Sequence, residues 1–234
     1  MHLIFDLDGT LLYTLHDLKN AVNYALRKLA FPERTLEEIQ SAVGNGLNML
    51  LIRSLPSHVS EETINIALHD MKQYYKDHCH DETVPYNGIV QMLAALKAAG
   101  HRISIVSNKA DAMVQQLVSF YFDGMIEFSL GESHLFKRKP AADMVVAAMQ
   151  KNGFDAIYIG DSEVDLLTAK NAEIPCICVS WGYRSAELLK LSGAEQICST
   201  PDELRSCIEE YVSNTALKSA DNTPCDTTAH AEVF

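Results

Sequence analysis

The sequence predicts an α/β protein, a doubly wound (Rossmann-like) parallel sheet core with an inserted all-helical cap. Three observations lead to this reading. Short apolar runs of strand length alternate with stretches of helical period. That rhythm breaks once, between about Thr14 and Val84, where every periodic stretch is helical. Carboxylates and hydroxyls directly follow the apolar runs, at the place where open parallel sheets bind ligands.

The first strand is His2 to Phe5 (HLIF). Leu18, Val22, Leu26 and Leu29 then recur at helical spacing, followed by Leu36 to Val43, Leu47 to Leu55, and Glu61 to about His78. Pro85-Tyr86-Asn87-Gly88 marks the return to the core. Beyond it, helix Ile89 to Ala99 is closed by Gly100, and strand Ile103 to Val106 leads to helix Ala110 to Val118. A weaker strand, Met125 to Phe128, precedes helix Ala141 to Lys151. Strand Ala156 to Ile159, helix Asp165 to Asn171 and strand Cys176 to Val179 complete the series. Strands separated by helices require right-handed crossovers and a sheet covered on both faces. The core is therefore expected over 1–13 and 85–212, and the cap over 14–84. Ser213 to Phe234, rich in Thr, Ser, Ala, Asp and Asn without an apolar period, reads as a disordered tail.

The 234 residues are 47% hydrophobic and 21% charged, enough for a core domain with a smaller insertion. A formal net charge of -12 argues against a nucleic-acid or anionic-membrane surface. No apolar run approaches the roughly 18–20 residues that span a bilayer, and MHLIFDLDGT is not a signal sequence, so a cytoplasmic protein is expected. The six cysteines form no CxxC pair and read as reduced thiols. His78-Cys79-His80-Asp81-Glu82 has metal-binding composition, but successive helical positions do not face one site.

The chemistry lies at the strand ends. Asp6-Leu7-Asp8-Gly9-Thr10 follows the first strand, Ser107-Asn108-Lys109 the second, and Gly160-Asp161-Ser162-Glu163-Val164-Asp165 a third; Lys137-Arg138-Lys139-Pro140 lies between the last two. Converging carboxylates repel one another and call for a cation, and an all-oxygen set suits Mg²⁺. Asp6 and Asp161 are the candidate side-chain ligands, with the backbone carbonyl of Asp8 as a third. Asp6 is the candidate nucleophile, since an aspartyl phosphate splits one difficult hydrolysis into two easier steps. Asp8, two residues on, is the candidate acid and base. Ser107, Asn108 and the Gly9–Thr10 turn are candidate phosphate binders, and Lys139 a point charge for both phosphate and Asp6. Asp165 and Ser162 are placed behind the metal and the lysine, although Asp165 also reads as an ordinary helix-start charge.

DLDGT, the Ser after a hydrophobic strand, the Lys-Pro pair and GDSEVD, in that order, resemble the four motifs of the haloacid dehalogenase-like hydrolase superfamily over about Met1 to Tyr211. The resemblance implies that Asp8 marks a phosphotransferase and argues against a dehalogenase. Val43-Gly44-Asn45-Gly46-Leu47, Pro85-Tyr86-Asn87-Gly88, Ser107-Asn108-Lys109 and Trp181-Gly182-Tyr183 resemble its phosphoglycolate phosphatase-like branch. That branch implies a helical cap and hydrolysis of small phosphomonoesters, with some members taking pyrophosphate. Two positions depart from its pattern: Tyr13 replaces the usual Asp, and Lys139-Pro140-Ala141-Ala142 lacks the second proline of KPxP.

Gly44, Asn45 and Gly46 would meet the substrate's non-phosphate end, unless they are only a helix–helix turn. Arg53 could bind a substrate carboxylate bidentately, or be an exposed surface arginine. The expected activity is Mg²⁺-dependent hydrolysis of a small phosphorylated metabolite, by a monomer or homodimer. A sugar phosphomutase, a pyrophosphatase and a catalytically silent binding protein are the rival readings.

Overall fold

The computed structural model describes the backbone of residues 1–221 and the side chains through 215. Its core strands are β1 (His2–Phe5), β4 (Arg102–Ala110), β5 (Phe128–Glu132), β6 (Ala156–Gly160), β7 (Cys176–Val179) and β8 (Gln196–Cys198). They form one parallel sheet in the order β5-β4-β1-β6-β7-β8. The chain winds outward from β1 to β5, then returns to fill the other side, so the topological switch falls at β1.

The strands read as apolar runs because both faces are covered. Ile4 packs with Val106, Tyr158, Met144 and Val145 on one face. Its neighbours Leu3 and Phe5 point the other way, into the larger core containing Leu93, Leu204 and Ile208. The covering helices are α5 (Ile89–Ala98), α6 (Asp111–Tyr121), α7 (Asp143–Asn152), α8 (Glu163–Asn171), α9 (Ala186–Leu191) and α10 (Pro201–Asp221).

Four helices lie between β1 and β4: α1 (Leu15–Lys28), α2 (Leu36–Ala42), α3 (Gly46–Ser54) and α4 (Glu61–His78). Local chemistry starts two of them. Thr35 and Glu38 form a reciprocal capping box on α2, and Ser60 Oγ accepts from the Thr63 N–H at the head of α4. The chain leaves and re-enters the core through β2 (Leu12–Tyr13) and β3 (Val84–Pro85), which pair antiparallel as a two-strand hinge. Tyr13, one of the two departures from the pattern the sequence resembles, sits in this hinge with its ring edge-on to Tyr86 and Tyr183.

Two expectations need correction, and one strand adds to them. The strand expected at Met125 to Phe128 begins only at Phe128, because Met125 N–H closes a turn onto Phe122 O. β8 is too short to show a period in sequence and was not foreseen. The tail expected from Ser213 is helical through Asp221, since an established helix such as α10 adds one hydrogen bond per further residue. Residues 222–234, the rest of that expected tail, lie outside the described residues.

Candidate active site

Asp6, Asp161 and Asp165 meet at the carboxyl end of β1 and β6, all buried, with ligand atoms within 4.8 Å of one another. Lys139 Nζ lies 2.8 Å from Asp6 Oδ1 and 2.7 Å from Asp165 Oδ1, and donates to the Tyr158 hydroxyl at 3.0 Å. Its approach to Asp6 is close enough for an ion pair but outside the angles of a hydrogen bond, so Asp6 Oδ1 keeps no hydrogen-bond partner. Burial pushes Asp6 up to about 7; the Lys139 ammonium opposes that rise, while Asp165 and Asp8 add to it. Burial, then Asp165 and Asp6, hold Asp161 well above the ordinary carboxylate range. Burial alone would lower Lys139, but Asp165 and Asp6 outweigh it and keep the ammonium charged.

Asp165 has little left to offer a ligand. Its Oδ1 accepts from Lys139 and Tyr158, and its Oδ2 from the backbone N–H and hydroxyl of Ser162. It thus starts α8 and holds the lysine at once. The Tyr183 N–H donates to Asp161 Oδ2 at 2.6 Å, and the Thr10 hydroxyl to Oδ1 at 3.4 Å. Gly9 and Gly182 press so closely on Asp161 that a Cβ on either would collide with its side chain, and Gly9 also needs its φ of +87°. Three carboxylates share one ammonium here. At 4 Å and an effective dielectric of about 20, each like-charge pair costs about 4 kcal/mol. A hard divalent cation held between Asp6 and Asp161 would offset that repulsion, and the donor set fits one.

Asp8 points elsewhere. Its Oδ1 accepts from Lys109 Nζ at 2.9 Å, and Lys109 also donates to the Tyr75 hydroxyl of α4 at 2.6 Å. Ser107 is buried beside them, with Oγ accepting from the Lys109 N–H.

Other expected phosphate binders have different work. Asn108 grips the Lys139 peptide from both sides, accepting from its N–H at 2.7 Å and donating to its carbonyl at 3.0 Å. The Gly9 N–H donates to Leu12 O and the Thr10 N–H to Leu7 O, so neither amide is free for phosphate.

A cavity of about 60 Å³ lies above the carboxylates. Its core side includes Asp6, Asp8, Ser107, Lys109, Lys139 and Asp161; its cap side is Leu18, Val43, Gly44, Gly46, Leu47 and Leu50. Asn45 and Arg53, expected at the substrate, do not line it. Arg53 donates to Asn45 Oδ1 at 2.6 Å and to Ala42 O at 2.8 Å, bracing the turn from behind. Arg184 does line it; its guanidinium reaches Val43 O across the cap–core junction and pairs with Glu163 of the core. Arg138 and Gln40 add bonds to Asn45 O and Tyr183 O. Sequence reasoning assigned no role to Lys109, Tyr75, Gly182 or Arg184; the signal for Lys109 lay in the polar run after its strand, and that for Gly182 in a motif read for its family resemblance.

Residues 3–179 match the family model for haloacid dehalogenase-like hydrolases. The chain belongs to that family and, within it, to the phosphoglycolate phosphatase-like branch of phosphoric monoester hydrolases. A protein named phosphoglycolate phosphatase from Colwellia psychrerythraea is 32% identical over 212 residues, covering 86% of this chain and 94% of the relative. Another of that name, from Nitrosospira multiformis, is 34% identical over 192 residues, covering 77% and 83%. A crystal structure from Lactobacillus delbrueckii subsp. bulgaricus matches with a TM-score of 0.83 at 35% identity, covering 88% of this chain and 97% of that one. Among the described residues, no helix is long and apolar enough to cross a membrane.

Proposed function

We propose that this chain is a Mg²⁺-dependent phosphatase of small phosphomonoesters, with phosphoglycolate the first substrate to try, acting through an aspartyl phosphate on Asp6. One observation carries the reading: a buried Asp6 oxygen without a hydrogen bond, beside the Lys139 ammonium, at the floor of the cavity between core and cap. Mg²⁺ would be held by Asp6, Asp161 and the backbone carbonyl of Asp8, where it would neutralise phosphate oxygens against the carboxylates.

An Asp6 carboxylate oxygen attacks phosphorus while the bond to the leaving oxygen breaks, and Asp8 gives its proton to that oxygen, releasing the alcohol. Water then attacks the acyl phosphate. Asp8 takes the water's proton, the bond from phosphorus to Asp6 breaks, and inorganic phosphate leaves. Ser107 donates to a phosphate oxygen, and Lys139 favours the ionised form of Asp6 and holds it in place. Asp165 and Ser162 hold Lys139 and the head of α8. Gly44 and Gly46 bring cap backbone to the substrate's other end. Because cap and core meet over the cavity, they must part to admit substrate.

The test is phosphate release from a panel of small esters and pyrophosphate with Mg²⁺, ranked by kcat/KM, together with borohydride trapping of the intermediate. Turnover that survives chelation by EDTA, or a trapped label at any residue other than Asp6, refutes the mechanism.

A further inference from the structure

The phosphatase reading gives Asp8 its task but leaves unexplained what aims its side chain. In the second half of β4 the pairing with β5 is regular to Val106–Leu130 and irregular until Ala110–Glu132. An even strand would turn alternate residues away from the site. Here Ser107, Asn108 and Lys109 are all buried on it. The Lys109 side chain is only 1% exposed, and its ammonium has two partners: Asp8 Oδ1 and the Tyr75 hydroxyl.

Tyr75 belongs to the cap. With Ala67 and Met71 it forms the buried stripe of α4, and unlike them it carries a polar end into the interior. Lysine has no acceptor, so the hydroxyl accepts from Nζ. A hydroxyl buried there without a partner would be costly, and Lys109 is the partner the structure supplies. The contact therefore holds only while α4 is seated on the core. Core acid, core lysine and cap tyrosine form one chain of polar contacts across the domain junction.

We propose that Lys109 is a positioning residue for Asp8, and that Tyr75 ties the pair to the cap, so that Asp8 is aimed at the leaving oxygen only when the cap is down. Lys109 acts through Asp8 and not on the phosphate. Its contribution therefore depends on whether the leaving group needs a proton.

This inference rests on the phosphatase reading, and two small substrates separate the two. Phosphoglycolate releases an alkoxide oxygen that must be protonated. Acetyl phosphate, also a two-carbon compound, releases acetate, which leaves without a proton. The quantity to measure is kcat/KM with Mg²⁺, which covers only the steps through departure of the leaving group. Lys109→Met is expected to lose about 100-fold on phosphoglycolate and less than about threefold on acetyl phosphate. Tyr75→Phe, which deletes a single oxygen and keeps the ring packing, is expected to lose about tenfold on phosphoglycolate alone.

Acetyl phosphate turnover is also the folding control within each preparation. Equal losses on both substrates would mean that Lys109 binds phosphate or merely supports the fold, and would overturn the proposal. An unchanged substrate ratio in Tyr75→Phe would do the same for the tie to the cap, even if Lys109→Met failed to fold. Absence of turnover of either substrate by the wild-type chain would strike the phosphatase reading itself, and the positioning role with it.

Discussion

The two walls of the cavity are built on opposite plans. On the core wall, the charged groups are already engaged: Lys139 with Asp6 and Asp165, Lys109 with Asp8, and Asp161 with the backbone amide of Tyr183. The cap wall offers Leu18, Val43, Leu47, Leu50 and two glycines, while its own polar groups, Asn45 and Arg53, satisfy each other behind it. The core wall stores strong interactions held rigid, which suits charge that develops during reaction. In the proposed reaction the cap wall would exclude water and measure size. Chemistry and selection are thus carried by different physical forces, and substitutions on the two sides should fail in different ways.

The largest expected effect is on the core side. Asp6→Asn should lower phosphate release by about 10⁴-fold or more, because the proposed nucleophile is removed while the fold is kept. Retention of substantial Mg²⁺-dependent release would break the assignment. Next comes a residue that touches no substrate. In Gly182→Ala the new Cβ collides with Asp161. The Mg²⁺ concentration at half-maximal activity should rise about 10- to 100-fold, as for changes behind a metal ligand, and calorimetric titration of Mg²⁺ should show the same loss.

Cap substitutions should act on binding. Leu47→Ala should raise KM for a two-carbon ester by up to about tenfold while kcat changes less than about threefold. A fall in kcat alone would erase the contrast between the walls. Arg53→Ala should leave KM unchanged within about twofold and cost about 1 kcal/mol in urea unfolding, since its hydrogen bonds brace a turn and reach no ligand.

The smallest effect tests the far end of the same strand that presents Asp6. His2 is buried between Ser104 Oγ and Gly153 O, and burial holds it below its ordinary value of 6.5. The unfolded chain therefore binds the extra proton more readily. This contribution to stability is complete above 6.5 and is lost as pH falls through the lower, folded value. Urea midpoints should decline from about pH 7 to pH 5, and His2→Gln should flatten that part of the slope. An unaltered slope would show that His2 does not carry it.

Much of this was legible in the chain itself. Runs such as HLIF and CICV could only be strands covered on both faces, and helical spacing through 15–78 announced the cap helices nearly to the residue. Asp6, Asp161, Lys139 and Ser107 came together because each directly follows a buried strand or occupies a motif of fixed place. Gly9, Thr10 and Asn108 were read as phosphate binders because their residue types suit that work. The Gly9 and Thr10 amides donate instead to Leu12 and Leu7, and the Asn108 side-chain amide to Lys139, which only the folded turn reveals.

What the sequence determined is the order of elements and the chemistry at their ends, because periodicity and strand-end placement are local properties of the chain. The tertiary structure decided which groups remain free. A hydrogen bond between Lys109 and Tyr75, 34 positions apart, or a glycine at 182 making room for an aspartate at 161, depends on how distant segments approach. No local pattern encodes that distance; it follows from the packing of the cap on the core.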